Sequence, residues 1–421
     1  MSFGMKAWIT LTALMLPLTL PLTAQDADCG LKVSGFGTLG LALNSSDRAE
    51  YVREPTQPRG VLRSLNPSLD SRLGLQVNLN LGGDLSFVGQ TISKYRFDHT
   101  FKPDISWAFL SYKPTSSIQA RAGRLGFDVF QIADTRNVGY SYLWVRPPVD
   151  FFGPLMLSSL DGGDLTWTTS LHAGLSLRLK VAAGRTASID KVPFDDKGNY
   201  VPLGGSKLFG AVAELDWRSL NLRVSYARAQ PSEKFPAPIT DLQNGLNAFA
   251  LLLNDPRLAQ QAKGVDFLEN CFRYLSAGVN WQEGPFRVEA VGAQVRTGDG
   301  PIPDLKSGYL SVGYREGAFV PYFLASRIVS DPHPLYLGAL PLLGPQAAAL
   351  AAGVSSFIQH QRANQTTLAL GLRWDFHPRA ALKVQIDRIE GRPNDVMLWL
   401  NVRPGWEGKA TVGSVTLDFV F

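Results

Sequence analysis

A chain of 421 residues with 41 basic and 36 acidic side chains, a formal net charge of +5 and 40 glycines is too long for one ordinary soluble core. Its charges are scattered without a run of one sign, so nucleic acid is not an expected partner. Hydrophobic residues make up 45% and aromatics 10% of the chain, distributed as many short apolar segments between turn residues, which points to an all-β protein.

The first residues stand apart. Met1 to Ala24 carries one lysine, Lys6, then an uncharged apolar run from Ala7 to Leu22, then Thr23-Ala24. That order is the charged region, apolar region and small-residue cut of a secretory signal, with cleavage expected after Ala24. The run is shorter than the roughly 20 residues a membrane helix needs, and Pro17 and Pro21 interrupt it. The expected product is an exported chain without a lipid-anchoring cysteine at the cut, since Cys29 follows Ala27-Asp28.

From Leu31 onward the apolar residues alternate with period two. Arg72 to Leu81 sets Leu73, Leu75, Val77 and Leu79 on one face and Arg72, Gln76, Asn78 and Asn80 on the other. Leu175 to Val181, Asn221 to Tyr226, Leu275 to Trp281, Leu368 to Phe376 and Leu382 to Asp387 repeat the pattern. Side chains of a strand point to alternate sides, so each segment has one apolar and one polar face. The spacing predicts strands at 31–43, 72–81, 85–95, 105–113, 118–127, 162–170, 175–186, 208–218, 220–229, 274–282, 286–297, 308–316, 319–330, 365–376, 380–390 and 409–421. Their connections alternate strictly between short (82–84, 114–117, 171–174, 219, 283–285, 317–318, 377–379) and long (44–71, 96–104, 128–161, 187–207, 230–273, 298–307, 331–364, 391–408). A soluble sandwich has no reason to sort loops by parity, whereas a 16-stranded antiparallel transmembrane β-barrel does, with short periplasmic turns and long external loops.

Aromatic placement gives an independent indication. Tyr112, Trp217, Trp281, Tyr314, Trp374 and Phe376 recur on the apolar face where strands descend into short turns, and such rings settle at a membrane–water boundary. The last strand carries Val415, Leu417, Phe419 and Phe421 on one face. A terminal Phe after alternating apolar residues resembles the signal read by the barrel-assembly machinery, and a barrel must close because an open edge in lipid leaves backbone groups unpaired.

The segment 128–161 combines Asp134-Thr-Arg136-Asn with Tyr140-Ser-Tyr142-Leu-Trp144-Val-Arg146-Pro-Pro148-Val-Asp150-Phe-Phe152. With the signal, the Gly35-Phe-Gly-Thr-Leu-Gly40 opening strand, the Arg121-Ala-Gly-Arg124 strand before this loop and the terminal Phe, the whole mature chain resembles the general bacterial porins of the Gram-negative outer membrane. The resemblance implies a water-filled channel for ions and small hydrophilic solutes, a third external loop folded into the pore, and a homotrimer surrounded by outer-membrane lipid and lipopolysaccharide. It would place Asp134, Asp150 and Asp161 in a pore constriction. The Pro-Glu-Phe-Gly-Gly tip common in that family is absent, and Arg136 and Arg146 stand in the loop instead.

Alternation alone assigns a pore wall. Arg72, Arg121, Arg178, Lys180, Arg223, Arg327, Arg373 and Lys383 oppose the apolar face, as do Glu214, Asp216, Asp375, Asp387 and Asp418. A mid-bilayer Arg or Lys facing lipid costs about 2–4 kcal/mol, so these belong in a lumen whose basic excess favours anions weakly. Mutual pairing of the same charges is the alternative. Segment 238–262 reads as a helix, with Leu242, Leu246, Phe249, Leu252 and Leu253 at three- and four-residue steps. The charge-free stretch from Pro334 to Ile358, broken by Pro341 and Pro345, reads as short helices over or in the external mouth.

His99, His172, His333, His360 and His377 all fall in connections, and no catalytic triad or metal pair stands out, so neither an enzyme nor a cofactor is expected. Cys29 and Cys271 fall on opposite sides of an apolar band about 25 Å tall, too far for a disulfide, whose Cα atoms lie within about 7 Å. Two further readings stay open: a selective channel for anionic or aromatic acids held by Arg136, Arg146 and the wall arginines, and a barrel enzyme or adhesin working through its loops.

Overall fold

The computed structural model describes residues 30–187, 191–193, 200–232, 237–265, 271–298, 303–332 and 335–421. The expected signal at 1–24, Cys29 and His333 lie outside the described residues. Barrel strands run over Leu31–Asn44 (β1), Arg72–Gly82 (β2), Leu85–Lys94 (β3), Asp104–Thr115 (β4), Ile118–Gly126 (β5), Ser159–His172 (β6), Leu175–Thr186 (β7) and Lys207–Trp217 (β8). The second half comprises Leu220–Gln230 (β9), Phe272–Glu283 (β10), Phe286–Arg296 (β11), Leu305–Tyr314 (β12), Phe319–Ser330 (β13), Ala363–His377 (β14), Ala380–Val396 (β15) and Lys409–Val420 (β16). They form one closed barrel in which each strand pairs antiparallel with its chain neighbours and β16 pairs with β1. The expected fold class and strand plan hold, with ends shifted by a few residues and β15 longer than expected.

Short and long connections segregate to opposite ends, the turn end and the loop end. Tight turns draw on residues tolerant of a left-handed backbone: Gly83, Gly284 and Gly317 have φ of 56°, 55° and 59°, a region closed to most side chains. The outer surface is aliphatic: Leu39, Leu75, Leu222, Leu275, Leu370 and Ile386 are all exposed. An uncovered apolar belt of this extent needs lipid rather than water against it. Tyr112, Trp217, Tyr314, Trp374 and Phe376 sit exposed on this outer face near the turn end, with Trp281 half-buried beside them.

Closure depends on a fit between the chain's two extremities. Gly35 and Phe421 exchange both backbone hydrogen bonds, N–H to O at 2.8 and 2.9 Å. On the outer face the Phe421 ring covers Gly35 and the Phe419 ring covers Gly37, and a Cβ on either glycine would stand within 2.9 Å of the ring's Cζ and Cε atoms. The glycines of the opening strand are thus the seats for the terminal aromatics, which stack on each other with centroids 6.4 Å apart.

Outside the barrel the expected helix over 238–262 is two, α2 (Ala237–Leu252) and α3 (Pro256–Gly264). Asn254 turns left-handed at φ 49° and Asp255 caps α3 by accepting from the Arg257 N–H at 2.9 Å, with Pro256 at the first helical position. That is why the apolar periodicity does not run through. A third helix, α4 (Pro345–Gln359), buries Ala347, Ala351, Val354 and Ile358 against Leu246, Leu258 and Leu340. The three loop helices make their own small core at the loop end. Among the described residues no helix is long and apolar enough to cross a membrane.

Replacing Gly37 with Val should force the Phe419 ring off its seat. Overpacking of this kind costs about 1–3 kcal/mol, so urea titration in lipid vesicles should show a lower unfolding midpoint for Gly37→Val than for Gly292→Val, where a side chain would meet no neighbouring atom.

Candidate pore and its loop plug

After β5 the chain turns inward, and residues 127–158 cross the barrel interior before joining β6. Contacts to nearly every wall hold them there. Asp128 accepts from Lys180 of β7 at 2.7 Å and from Arg223 of β9 at 2.8 Å. Asn137 takes a bond from Arg72 of β2 at 2.8 Å. Gly139 sits against Asp418 and Thr38 so closely that a side chain has no room, while its carbonyl and that of Trp144 accept from the Lys383 ammonium at 2.6 and 2.8 Å. The Trp144 indole donates to Ser311 of β12 at 2.8 Å.

Arg146 carries most of this attachment. Only 1% of its side chain is exposed. It grips Asp70, in the first long connection, through two nitrogens at 3.1 and 2.7 Å. It also reaches Asp387 of β15 at 3.2 Å and Ser414 of β16 at 2.5 Å. One planar guanidinium therefore ties the third long connection to the first and to two wall strands, using the forked geometry that Arg has and Lys lacks. Burial alone would raise the Asp70 carboxyl, but Arg146 and Arg53 outweigh it and hold it below the usual range. Four residues on, the short helix α1 (Val149–Phe152) buries Asp150 completely. Its oxygens accept from Ser326 of β13 at 2.7 Å and Gln365 of β14 at 2.6 Å, yet burial pushes this carboxyl above its usual value. Asp150 is an anchor of the loop.

The loop also fills space. Trp144, Phe151, Phe152 and Leu155 pack on inward-facing Tyr309, Tyr322 and Leu324 in one apolar cluster. One side of the lumen is thereby a packed core. Inward aromatics at Tyr274, Tyr309 and Tyr322 signal this in the sequence, since a water-filled wall has little use for them.

Among the described residues an opening remains beside the plug, and another lies at the turn end away from it. One is lined by Glu54, Gln90, Lys94, Phe97, Trp107, Asp134 and Arg136, with Tyr95, Arg96 and Lys191 toward the loop end. The other lies toward the turn end, lined by Lys32, Asn78, Asn80, Ser86, Val88 and Lys113. Gln90 of the first and Val88 of the second are inward neighbours on β3. In the first opening Glu54 pairs with Lys94 at 2.9 Å and Arg136 at 3.1 Å; these cations outweigh burial and hold its carboxyl well below the usual range. Asp134 behaves oppositely. Burial, reinforced by Asp128, raises its carboxyl to about 6, and its buried Oδ1 has no hydrogen-bond partner.

The wall charges face inward as expected for Arg72, Arg121, Arg178, Lys180, Arg223, Arg373 and Lys383, and most are paired. Arg121 meets Asp164 at 2.5 Å, Lys383 meets Asp418 at 3.0 Å and Arg373 meets Asp375 at 2.7 Å; Arg178 and Arg223 both bond Glu214. Two assignments are corrected. Arg327 is exposed on the outer face of β13, in line with Phe323 and opposite Gly308, and donates to Thr366 at 2.6 Å. Asp161 belongs to β6 and points outward, bridged by Arg124 at 2.7 and 2.9 Å. Both lie near the loop end, where an outward charge escapes the mid-bilayer cost that had argued for the lumen. Arg53, Glu54, Asp70 and Asp128, which the sequence pattern does not single out, sit in connections where period-two alternation carries no information. Cys271 is a free thiol that accepts from Arg228 at 2.9 Å.

Solved structures with this architecture include an anion-selective porin from Comamonas acidovorans, 11% identical with a TM-score of 0.55, covering 94% of this chain and 100% of the other. OmpF of Salmonella typhi in complex with daunomycin is 10% identical with a TM-score of 0.52, covering 93% and 97%. A loop L8 deletion mutant of OmpT, an outer membrane protein of Vibrio cholerae, is 10% identical with a TM-score of 0.52, covering 93% and 100%. No family model and no curated protein sequence matches the chain. The likeness shows the fold, which is the sixteen-stranded barrel of bacterial outer-membrane porins.

Arg146→Met should leave Asp387 without its cation and Asp70 with Arg53 alone. Breaking a buried pair from one side costs about 3–5 kcal/mol. A clear loss of resistance to urea, together with larger and noisier single-channel current, is the expected result; unchanged values of both would rule out Arg146 as the anchor.

Proposed function

We propose that the chain is an outer-membrane porin, exported by its signal segment, in which ions and small hydrophilic solutes diffuse along the β2–β5 wall past a fixed loop plug. The observation that carries this reading is the pinned third connection, which packs one side of the lumen and leaves charged openings on the other. On this reading the loop end faces the cell exterior. Asp134 and Arg136 line the narrow part, whereas Arg146 and Asp150 hold it in shape. The openings present Lys94, Arg96, Arg136, Lys191, Lys32 and Lys113 against Glu54, Asp104, Asp134 and Asp84. That basic surplus, focused by low-dielectric walls, supports a weak anion preference. Phe421 on its glycine seat serves as the assembly signal, and protomers associate as a trimer in lipopolysaccharide-containing membrane.

A selective channel for anionic aromatic acids has specific support too. Lys191 stands over the rings of Phe97 and Tyr200, 4.9 and 4.4 Å from their centroids, at the mouth of the first opening. A cation held on aromatic faces suits a flat carboxylate. In a planar bilayer, saturable block by benzoate favours this reading, and ohmic current at every benzoate concentration favours general diffusion.

A salt gradient across the bilayer should give a reversal potential with the sign of anion preference. Asp134, neutral below about 6, gives that preference a pH dependence. As pH rises through about 6 its carboxylate ionises and adds a negative charge to the route, so the anion preference should weaken between pH 5 and 7.5. Asp134→Asn should hold the low-pH value throughout. A cation preference in the native protein at both pH values overturns the proposed selectivity.

A further inference from the structure

On two strands of the barrel an arginine and an acid two residues apart on one face close on each other. Arg373 meets Asp375 on β14 at 2.7 Å, and Arg388 meets Glu390 on β15 at 3.1 Å. On β11 the same spacing stays open. Arg287 and Glu289 both face the lumen, half-buried, just past the turn that joins β10 to β11, and they do not pair.

Glu289 is held from the other side. The Tyr309 hydroxyl of β12 donates to it, and Tyr309 is fixed by Trp144 and Phe151, whose ring centroids lie 5.6 and 5.1 Å from its own. Arg287 lies between Gln282 and Gly313 in the ladder. Its charged neighbours Arg315 and Arg373 already share Asp375, at 2.8 and 2.7 Å. Among the described residues Arg287 has no carboxylate partner and Glu289 has no cation. Two opposite charges thus stand open side by side, half out of water, where each is screened less than in bulk solvent.

The spacing defines what fits. Inward side chains two positions apart are separated by about 6.6 Å along a strand. That span admits a carboxylate and an ammonium carried on one carbon, each hydrogen-bonded at about 2.8 Å. A plain anion at Arg287 would lie close to the Glu289 carboxylate, and a plain cation at Glu289 close to the arginines. A ligand with both charges satisfies both residues at once.

We propose that Arg287 and Glu289 form a binding site for a free α-amino acid, its carboxylate on the guanidinium and its ammonium on Glu289. The guanidinium takes a carboxylate on two nitrogens, which a lysine could not do. Asn280 and Gln282, opposite Glu289 and Arg287 on β10, flank the ligand without adding charge. The next inward residue of β11 is the buried Val291 of the packed core, so a short apolar side chain suits the place. The site rests on the channel reading only for its orientation, which sets it on the periplasmic side of the plug, across the barrel from the β2–β5 wall.

The test titrates L-alanine into the folded full-length protein in detergent by calorimetry, with acetate and methylammonium as single-charge probes. Alanine should bind about tenfold or more tighter than either. Arg287→Gln and Glu289→Gln should each lose that margin, while Arg388→Gln, at a closed pair of the same spacing, should keep it. Tyr309→Phe retains both charges but frees Glu289 to close on Arg287, and should lose the margin as well. Circular dichroism checks that each variant is folded. Alanine binding no tighter than that of acetate or methylammonium in the native protein overturns the proposal. So does a native margin in any of the three lumen variants. Single-channel current, recorded in parallel, reports the pore: current without alanine binding refutes the site alone, and alanine binding without current refutes the channel reading alone.

Discussion

The interior of this barrel is organised by one buried ion cluster, Arg146 with Asp70 and Asp387. A closed sheet of sixteen strands encloses more space than its own side chains fill, so something must occupy the lumen or leave it open. The third long connection occupies it, and a chain segment that enters a barrel brings unpaired backbone groups with it. Here they are met by wall side chains: Lys383 on two carbonyls, Gln385 on the Val145 N–H at 3.0 Å, Arg373 on the carbonyls of Tyr140 and Tyr142. Arg146 fixes the register at which all of these meet. Such clusters are weak evidence for stability, but displacing the loop would leave Asp70 and Asp387 as buried charges without Arg146, which is strongly unfavourable.

The barrel itself was legible because it follows from two periodicities. Alternation along strands such as Leu175 to Val181 separates lipid from lumen, and alternation of connection lengths separates the two ends. Both arise from burial and backbone pairing, which act locally and leave a mark in the sequence. Of the eight cations that alternation sets opposite the apolar face, seven face the interior and Arg327 faces outward near the loop end, a depth at which a charge on the outer face is no longer costly. Asp161 failed through a boundary: β6 begins at Ser159, so a residue counted in the loop belongs to the strand and inherits its outward direction.

The plug was hidden for a different reason. Its contacts join residues hundreds of positions apart, as with Arg146 and Ser414, and neither periodicity nor composition ranks one partner above another. What the sequence does contain is a mixture of Trp144, Phe151 and Phe152 with buried-capable charges, and three inward tyrosines on separate strands. Aromatic residues on the polar face of an alternating strand are the one local sign that a lumen is packed rather than wet. The notion of an anionic loop facing a basic wall carries over from family likeness only in part, since Asp150 is spent on Ser326 and Gln365, Arg146 is turned to Asp387 and Ser414 of the wall, and Arg136 pairs with Glu54 of the first long connection.

Pairing also decides how much selectivity the pore can have. When Lys383 neutralises Asp418 and Arg121 neutralises Asp164, their fields cancel within a few ångströms, and a passing ion responds to the residue of unpaired charge. That residue is concentrated beside the plug, where Asp134 stands with a raised carboxyl and an unpartnered oxygen close to the Glu54, Lys94 and Arg136 cluster. On the proposed channel reading, a lumen whose wall charges are largely compensated leaves its ion preference to the charges beside the plug, where Asp134 is the group whose ionisation changes within the neutral range. The plug would then do more than reduce the bore: by pairing with wall charges such as Lys180, Arg223 and Lys383 it removes them from that choice.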